Sequence, residues 1–196
     1  MSSTISPPQS LLKPINVPSK TLMGPGPSSG APRVLAAGAL PLLGHLHSEF
    51  TQIMDECKEG IRYLFQTNNT VTLAVSGTGH AGMEMACDNT IEPGDKVLVV
   101  TNGIWGSRFS DMASRHGGDV VQLTNNGHAF SKDELEKALV EHKPSVMFVA
   151  HSESSCTLMQ PVDDLGHLCH KYDCILIVDT VASAGGAPLF MDKWGE

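Results

Sequence analysis

The segment Val71-Thr-Leu-Ala-Val-Ser-Gly-Thr-Gly-His-Ala-Gly-Met-Glu-Met85 predicts a strand, a tight turn and a helix in direct succession. β-Branched and apolar residues over 71–75 favour the strand, and the small residues of 76–79 favour the turn. A helix that opens near His80 presents unpaired N–H groups and the positive end of its dipole to that turn. The glycines leave the backbone bare, so a ligand oxygen can approach it closely. The segment therefore predicts a phosphate site, without indicating which phosphorylated ligand it binds.

Apolar runs and helical patterns alternate along the rest of the chain. Strands are predicted over 71–75, 96–100, 119–123, 145–150 and 175–179. Helices are predicted from near His80 and over 105–116, 131–142 and 163–172, with a capping box formed by Ser131 and Glu134. The strands are continuously apolar, as expected when helices cover both faces of a sheet. The pattern predicts an α/β fold, a three-layer α/β/α arrangement around a mostly parallel sheet.

The region before this alternation contains a proline-rich arm and one further helix. Residues 1–33 are rich in proline and serine and lack periodicity, which predicts an extended N-terminal arm or linker. Residues 34–196 form the predicted domain. Ser48 is the predicted N-cap of a helix whose apolar residues, at helical spacing up to Phe65, are expected to cover a core.

Composition excludes several classes of partner. The net charge of −8 argues against binding to nucleic acid or to an anionic membrane, since both require basic surface. No apolar run approaches the roughly 20 residues that cross a bilayer. No metal is expected, because the one cluster with a suggestive composition, 167–174, lies along a helix and its exit without a second pair of ligands.

Ligands of doubly wound sheets bind beyond the carboxyl ends of the strands. Four segments begin where a predicted strand ends, and we expect them to meet at one pocket. These segments are Ser76–His80, Asn102–Trp105, His151–Ser155 and Asp179–Ser183.

Gly77-Thr-Gly-His-Ala-Gly82 also fits the G-x-G-x-x-G pattern of a nicotinamide-dinucleotide site, which makes an oxidoreductase an alternative. That site needs an acidic residue at the end of the second strand to hold a ribose hydroxyl. The second strand here ends in Val100-Thr-Asn102, and the nearby Glu92 and Asp95 precede the strand. The dinucleotide interpretation is therefore the weaker one.

Two residues near other strand ends favour a different ligand. Asp179 ends an otherwise apolar strand, where its carboxylate either caps a nearby turn or is held against a cationic partner such as a protonated pyridine nitrogen. Trp105 follows the neighbouring strand and could stack on a flat ring. A phosphate cup, an aromatic plate and a strand-end carboxylate together fit pyridoxal phosphate, whose protonated ring accepts electrons from the substrate.

Eight short motifs carry a resemblance to one family of such enzymes, and the resemblance extends from about Leu11 to the last residue. They are Met23-Gly-Pro-Gly-Pro-Ser28, Ile53-Met-Asp-Glu56, Lys58-Glu-Gly-Ile61, Phe65-Gln-Thr67, Ser76-Gly-Thr-Gly-His80, Asn102-Gly-Ile-Trp-Gly106, Glu153-Ser-Ser155 and Val178-Asp-Thr-Val-Ala-Ser183. The chain resembles the alanine–glyoxylate (serine–pyruvate) aminotransferases, which are class V pyridoxal phosphate enzymes of fold type I.

The resemblance implies a set of cofactor-binding residues: Thr78, Gly79, His80, Trp105, Ser154, Asp179 and Val181. The first three match the phosphate-binding turn. Trp105 and Val181 match the residues on the two faces of the cofactor ring, Ser154 matches the serine near its phenolic oxygen, and Asp179 matches the aspartate on its pyridine nitrogen. Ser152 and Cys156 depart from the family pattern, which usually has glycine and threonine there.

The resemblance also implies where the chemistry lies. In the family a lysine that forms a Schiff base with the cofactor follows the Asp179 strand by roughly two dozen residues, beyond Glu196, and Lys193 has the wrong context for that role. We therefore expect an N-terminal part of a transaminase without a catalytic residue of its own. The parent enzyme would move an amino group from alanine or serine to glyoxylate or a related 2-oxo acid.

The family is also homodimeric and takes part in glyoxylate detoxification. A peroxisomal location is implied, with the mitochondrion or cytosol as alternatives. A third interpretation is a non-catalytic chain that pairs with full-length subunits.

Overall fold

The computed structural model describes residues 4–125 and 127–195. Contacts divide the chain into two units, Met1–Leu40 and Pro41–Glu196. The first unit contains a short 3-10 helix at Gln9–Leu12 and the helix α1 at Pro32–Ala37. The boundary between arm and domain at 33/34 stays a prediction.

The second unit is built on a four-stranded parallel sheet. Its strands are β1 (Lys96–Thr101), β2 (Asp119–Thr124), β3 (Val146–Ala150) and β6 (Ile175–Asp179), in the order β2-β1-β3-β6. A separate antiparallel pair, β4 (Ser152–Glu153) and β5 (Leu158–Met159), follows β3. The mostly parallel sheet and four of the five predicted strands are confirmed.

The prediction of a fifth strand over 71–75 is wrong. This segment has no regular secondary structure, and the side chains of Val71, Leu73 and Val75 are 79%, 59% and 59% exposed. β-Branched residues fit a pleated surface, but a strand forms only where a neighbour pairs with its N–H and C=O groups. No strand of the described residues pairs with this segment.

Helices cover both faces of the sheet, which confirms the three-layer α/β/α arrangement. One face packs against α3 (Gly79–Thr90) and α4 (Ile104–Arg115), and Phe109 of α4 stacks on Phe148 of β3 at 3.9 Å between ring centroids. The other face packs against α5 (Lys132–His142), α6 (Leu165–Lys171) and α7 (Met191–Trp194). Alternate residues of β1 enter the two cores, as the continuous apolar pattern requires.

Helix ends agree with the predictions to within a few residues. The capping box of α5 is formed as predicted, with Ser131 Oγ accepting from Glu134 N and Glu134 Oε2 accepting from Ser131 N. The helix α2 spans Ser48–Phe65, but its N-cap is His47 rather than Ser48. None of its residues is buried, and only Phe65 packs against the core, so the prediction that this helix covers a core is wrong for most of its length. An amphipathic pattern indicates an apolar face without specifying what covers it.

Within the described part of the chain, no helix combines the length and the apolar character needed to cross a membrane. The same residues contain no group of three or more histidine, cysteine, aspartate or glutamate side chains placed to hold a metal ion.

Candidate functional site

The four segments predicted to meet are joined by short contacts at the carboxyl end of the sheet, although the first of them, Ser76–His80, follows no strand in the described part of the chain. The Trp105 indole Nε1 donates a hydrogen bond of 2.8 Å to Ser154 Oγ, and the rings of His80 and Trp105 meet edge to face at 5.5 Å between centroids. His151 N donates to the Asp179 carbonyl at 2.9 Å, and Ala150 pairs with Asp179 in the sheet. The contacts thus bring together one residue from each segment that the sequence predicts.

Trp105 is held on several sides. It lies in the first turn of α4 and is partly buried, with His80 at its edge. The guanidinium carbon of Arg108 lies 5.8 Å from the indole centroid, and Arg108 Nη1 lies 3.1 Å from His80 Nε2. Because a guanidinium can only donate, the His80 Nε2 atom accepts in this contact. The indole plane therefore has a defined orientation before any ligand binds.

The N-terminus of α4 is capped by two side chains from the loop after β3. Ser155 Oγ accepts from Ile104 N at 3.0 Å, and Glu153 Oε2 accepts from Trp105 N at 3.0 Å. Glu153 Oε1 accepts from both the amide and the hydroxyl of Ser155, at 3.0 and 2.6 Å. Glu153 is fully buried, at 0% exposure. Its role was not predicted, although an acidic residue just after a buried strand, where helix N-termini gather, is a usable signal.

The N-terminus of α3 is open by contrast. Thr78 is its N-cap, with Oγ1 accepting from Ala81 N at 3.1 Å and the carbonyl accepting from Gly82 N at 3.0 Å. The amide groups of Gly79 and His80 have no acceptor among residues 4–125 and 127–195. A Cβ at Gly79 would meet no atom within 4 Å. The first two amides are thus occupied in α4 and free in α3, which makes the start of α3 the better place for an anion.

Asp179 is the last residue of β6. Its Oδ1 accepts from Val181 N at 2.9 Å, and Oδ2 has no hydrogen-bond or ion-pair partner in the described part of the chain. Val181 itself is 82% exposed and does not pack against a core. The carboxylate is thus oriented by the backbone and keeps one oxygen for a ligand, while the roles of Asp179 and Val181 toward a cofactor stay predictions.

A buried amide network supports the loop that carries Trp105. Gln160 is fully buried, and its Oε1 accepts from Phe130 N at 2.9 Å and from Asn102 Nδ2 at 3.3 Å. Its Nε2 donates to the carbonyls of Phe130 and Pro161. Gln160 carries no sequence signal for this role, because it lies after a short hairpin that no periodicity reveals. This network fixes the residue that directly precedes the Gly103–Trp105 turn.

His151 is buried beneath the same loops. Its Nδ1 atom has no hydrogen-bond partner among the described residues. Burial lowers the pKa of His151, and the charge of Asp163 opposes this only in part. The imidazole is therefore neutral near pH 7.

The two departures from the family pattern are accommodated locally. Ser152 pairs with Met159 in the β4–β5 hairpin, and the Cys156 thiol donates to the Asn102 carbonyl at 3.3 Å. Ser154, which lies between them, keeps its hydrogen bond to the indole of Trp105. The hairpin therefore presents Ser154 in a defined position with serine and cysteine at these places.

The dinucleotide interpretation gains no support from the fold. Gly79 and Gly82 both lie inside α3, and β1 ends at Thr101, followed by Asn102 rather than by an acidic residue.

Comparison with known proteins gives consistent matches. The family described as "Aminotransferase class-V" matches residues 36–196. The chain is 52% identical to alanine–glyoxylate aminotransferase of Callithrix jacchus, over 97% of this chain and 46% of the relative, and 52% identical to the Drosophila melanogaster enzyme of the same name, over 97% and 49%. The crystal structure of alanine–glyoxylate aminotransferase from Nostoc sp. superposes with a TM-score of 0.90 at 44% identity, over 97% of this chain and 52% of that one.

The chain spans about half the length of the curated relatives it matches. The matched region contains the whole sheet and every residue of the candidate site. On the extent of this match, the chain belongs to the class-V aminotransferase family.

Proposed function

We propose that this chain supplies the cofactor-binding part of a pyridoxal-phosphate-dependent aminotransferase. The enzyme would move an amino group from alanine or serine to glyoxylate or a related 2-oxo acid. Membership of the class-V family implies the cofactor, and relatives named alanine–glyoxylate aminotransferase support the substrates. The observation that carries the proposal is the open N-terminus of α3 beside the fixed indole of Trp105.

The residues at this site fit the phosphate of the cofactor. The free amides of Gly79 and His80 point out of the helix end, where the partial positive charge of the dipole favours an anion. The Thr78 side chain is already used as the cap, so the cap and the anion do not compete for the same amide. These groups would hold the phosphate without a charged side chain in direct contact.

The residues also fit the ring of the cofactor. The indole of Trp105 offers a flat surface, and Val181 leaves an exposed aliphatic side chain for the opposite face. Ser154 Oγ accepts from Trp105 Nε1, so its own hydroxyl proton is available to an oxygen of the ligand. The free Oδ2 of Asp179 would hold a proton on a ring nitrogen by charge and hydrogen bonding.

When bound, the cofactor supplies an electron sink for the bond changes at the substrate amino carbon. The residues of this chain orient and shield it. The indole would exclude water from one face, the α3 amides would hold the phosphate, and Asp179 would keep the ring nitrogen in its cationic form.

The chain itself would represent the N-terminal part of that enzyme. Consistent with this, it spans about half the length of the relatives that it matches. The full enzyme would act as a homodimer in glyoxylate detoxification, with a peroxisomal location. A chain that pairs with full-length subunits without turning over substrate fits the same features.

A binding and labelling experiment tests the proposal. The purified chain is titrated with pyridoxal phosphate, reduced with borohydride and digested for mass spectrometry. We expect saturable binding, no transamination of alanine and glyoxylate, and no lysine labelled above the general background. Binding of a nicotinamide dinucleotide in place of pyridoxal phosphate would overturn the proposed cofactor. Specific labelling of one lysine would overturn the claim that the cofactor-binding lysine is missing.

A further inference from the structure

We propose that Glu153 is a positioning residue, which fixes Trp105 and Ser154 relative to each other. It thereby sets the orientation of the Trp105 indole surface on which the cofactor ring would stack, here called the cofactor plate. This inference rests on the proposed function, because the plate matters only if a flat cofactor binds. Glu153 does not reach the ligand in this account. It acts through the two residues that do.

The first argument is the distribution of donors around the carboxylate. Oε2 accepts from the backbone of Trp105, while Oε1 accepts from the amide and hydroxyl of Ser155. Oε2 therefore connects Glu153 to the first turn of α4, and Oε1 holds the turn between β4 and β5 that carries Ser154 and Ser155. The indole-to-hydroxyl hydrogen bond between Trp105 and Ser154 joins the same two segments. Ser155 Oγ with Ile104 N and the Cys156 thiol with the Asn102 carbonyl join them as well, and among these contacts Glu153 is the one that holds the backbone of Trp105 itself.

The second argument is that the space around Glu153 leaves no alternative position. Glu153 is completely buried, and a Cβ at Gly103 would lie 2.5 Å from its Cγ and 2.6 Å from its Cδ. Real Cβ atoms essentially never approach another heavy atom to less than 3.0 Å, so the backbone at 103 packs directly on the acid. The side chain therefore has one place to lie, and its contacts are rigid.

The third argument is electrostatic. A buried carboxylate is stabilised when several donors and a positive charge surround it, and here the N-terminus of α4 supplies the partial charge. A glutamine has the same shape but only one acceptor oxygen, and its NH₂ group must then face the amide of Trp105 or the donors of Ser155. Glu153→Gln thus disturbs the link while leaving the volume of the core unchanged.

The chain offers a matched control in Glu134. Its carboxylate also accepts from the amide and the hydroxyl of a serine, Ser131, at 2.8 and 2.6 Å, and it also caps a helix. It lies at the start of α5, on the opposite face of the sheet from Trp105. Glu134→Gln therefore makes the same chemical change in the same local motif away from the site.

The test uses the full chain, with nitrogen-15 spectra of the two tryptophan indoles and a titration with pyridoxal phosphate. In Glu153→Gln we expect the Trp105 indole N–H signal to shift and its hydrogen exchange to speed up, while the Trp194 signal stays in place. We also expect the affinity for pyridoxal phosphate to fall about tenfold, since a buried donor is left facing a donor. Glu134→Gln should change neither quantity.

The indole spectra and the pyridoxal phosphate titration test the role of Glu153 and the proposed function separately. If the Trp105 indole signal is unchanged in a folded Glu153→Gln chain, Glu153 does not position the indole and the inference is wrong. An indole shift with unchanged cofactor affinity would also overturn it, because the plate would then not depend on the link. If neither the parent chain nor any variant binds pyridoxal phosphate, the proposed function fails, and the indole arm still decides whether Glu153 holds the loop. Should Glu153→Gln fail to fold, Ser155→Ala removes the hydroxyl that donates to Glu153 Oε1 and leaves the amide donor in place, and this weakened link is judged by the same criteria.

Discussion

At the scale of single residues, the two carboxylate oxygens of Asp179 differ in their hydrogen bonding. Oδ1 is used by the backbone of the turn that follows β6, and Oδ2 has no partner among the residues described. An asparagine can preserve the first contact, because its carbonyl oxygen still accepts from Val181 N. It cannot supply the negative charge. The residue therefore allows structural and electrostatic contributions to be measured separately.

We predict that Asp179→Asn weakens pyridoxal phosphate binding by about tenfold or more, since a charge-assisted hydrogen bond is worth about 1.5–3 kcal/mol. The thermal midpoint of the ligand-free variant should stay within about a degree or two of that of the parent chain. A shift of this size is typical of a substitution at the surface. Fluorescence titration and a melting curve measure the two. Asp173→Asn, a substitution in the turn before β6, serves as the control and should leave the affinity unchanged. Equal binding by the Asp179 and Asp173 variants would exclude the predicted role of Asp179.

At the scale of elements, the two helices at the site begin in different ways. The first amides of α4 are occupied by Glu153 and Ser155, whereas α3 has a local cap from Thr78 and leaves its first two amides free. This difference supports the proposal that an anion binds at the start of α3. It also means that the start of α3 depends on one hydroxyl group.

We predict that Thr78→Ala lowers the free energy of unfolding by about 1 kcal/mol, the typical cost of losing an N-cap. Thr78→Ser retains the oxygen that accepts from Ala81 N and should restore most of the stability. Urea denaturation of the three proteins measures the effect. If alanine and serine give the same stability, the hydroxyl does not cap α3.

Most elements of the fold could be predicted from the sequence, and the exceptions have physical causes. β1, β2, β3 and β6 carry patterns that require burial, and the capping box of α5 is a local motif. The segment 71–75 carries a strand pattern but no pairing partner, which a local pattern cannot reveal. Trp105 and Ser154 could be placed together because they follow β1 and β3, whose carboxyl ends share one edge, whereas His80 meets Trp105 although the described segment before it forms no strand. The contacts of Glu153 and Gln160 could not be predicted, because no periodicity reveals the short β4–β5 hairpin that positions their side chains.

At the scale of the whole second unit, one carboxylate joins segments that are 125 positions apart in the sequence. Asp192 in α7 accepts from Thr67 Oγ1, from Asn68 N at 2.9 Å and from Asn68 Nδ2 at 3.1 Å. The loop that it holds connects α2 to the segment leading into the Thr78 turn. The hydrogen bond from Thr67, followed by those from Asn68, lowers the pKa of Asp192 below its ordinary value of 3.8.

We predict that Asp192→Asn lowers the thermal midpoint at neutral pH and that this difference disappears in acid. A carboxyl group whose pKa is depressed in the folded state contributes stability above its unfolded pKa, and the contribution is lost as the pH falls through the folded pKa. The difference between the parent and Asp192→Asn should therefore be full above about pH 5 and shrink below pH 4. Melting curves at a series of pH values measure it. A difference that persists unchanged at the lowest pH would mean that the carboxylate charge is not responsible.

The close packing at Gly103 has a consequence for how this family member tolerates change. One methyl group there would lie 2.5 Å from the Cγ of Glu153, whose carboxylate accepts from the backbone of Trp105. We therefore expect a substitution at position 103, which carries neither a side chain nor a charge, to displace the indole of Trp105.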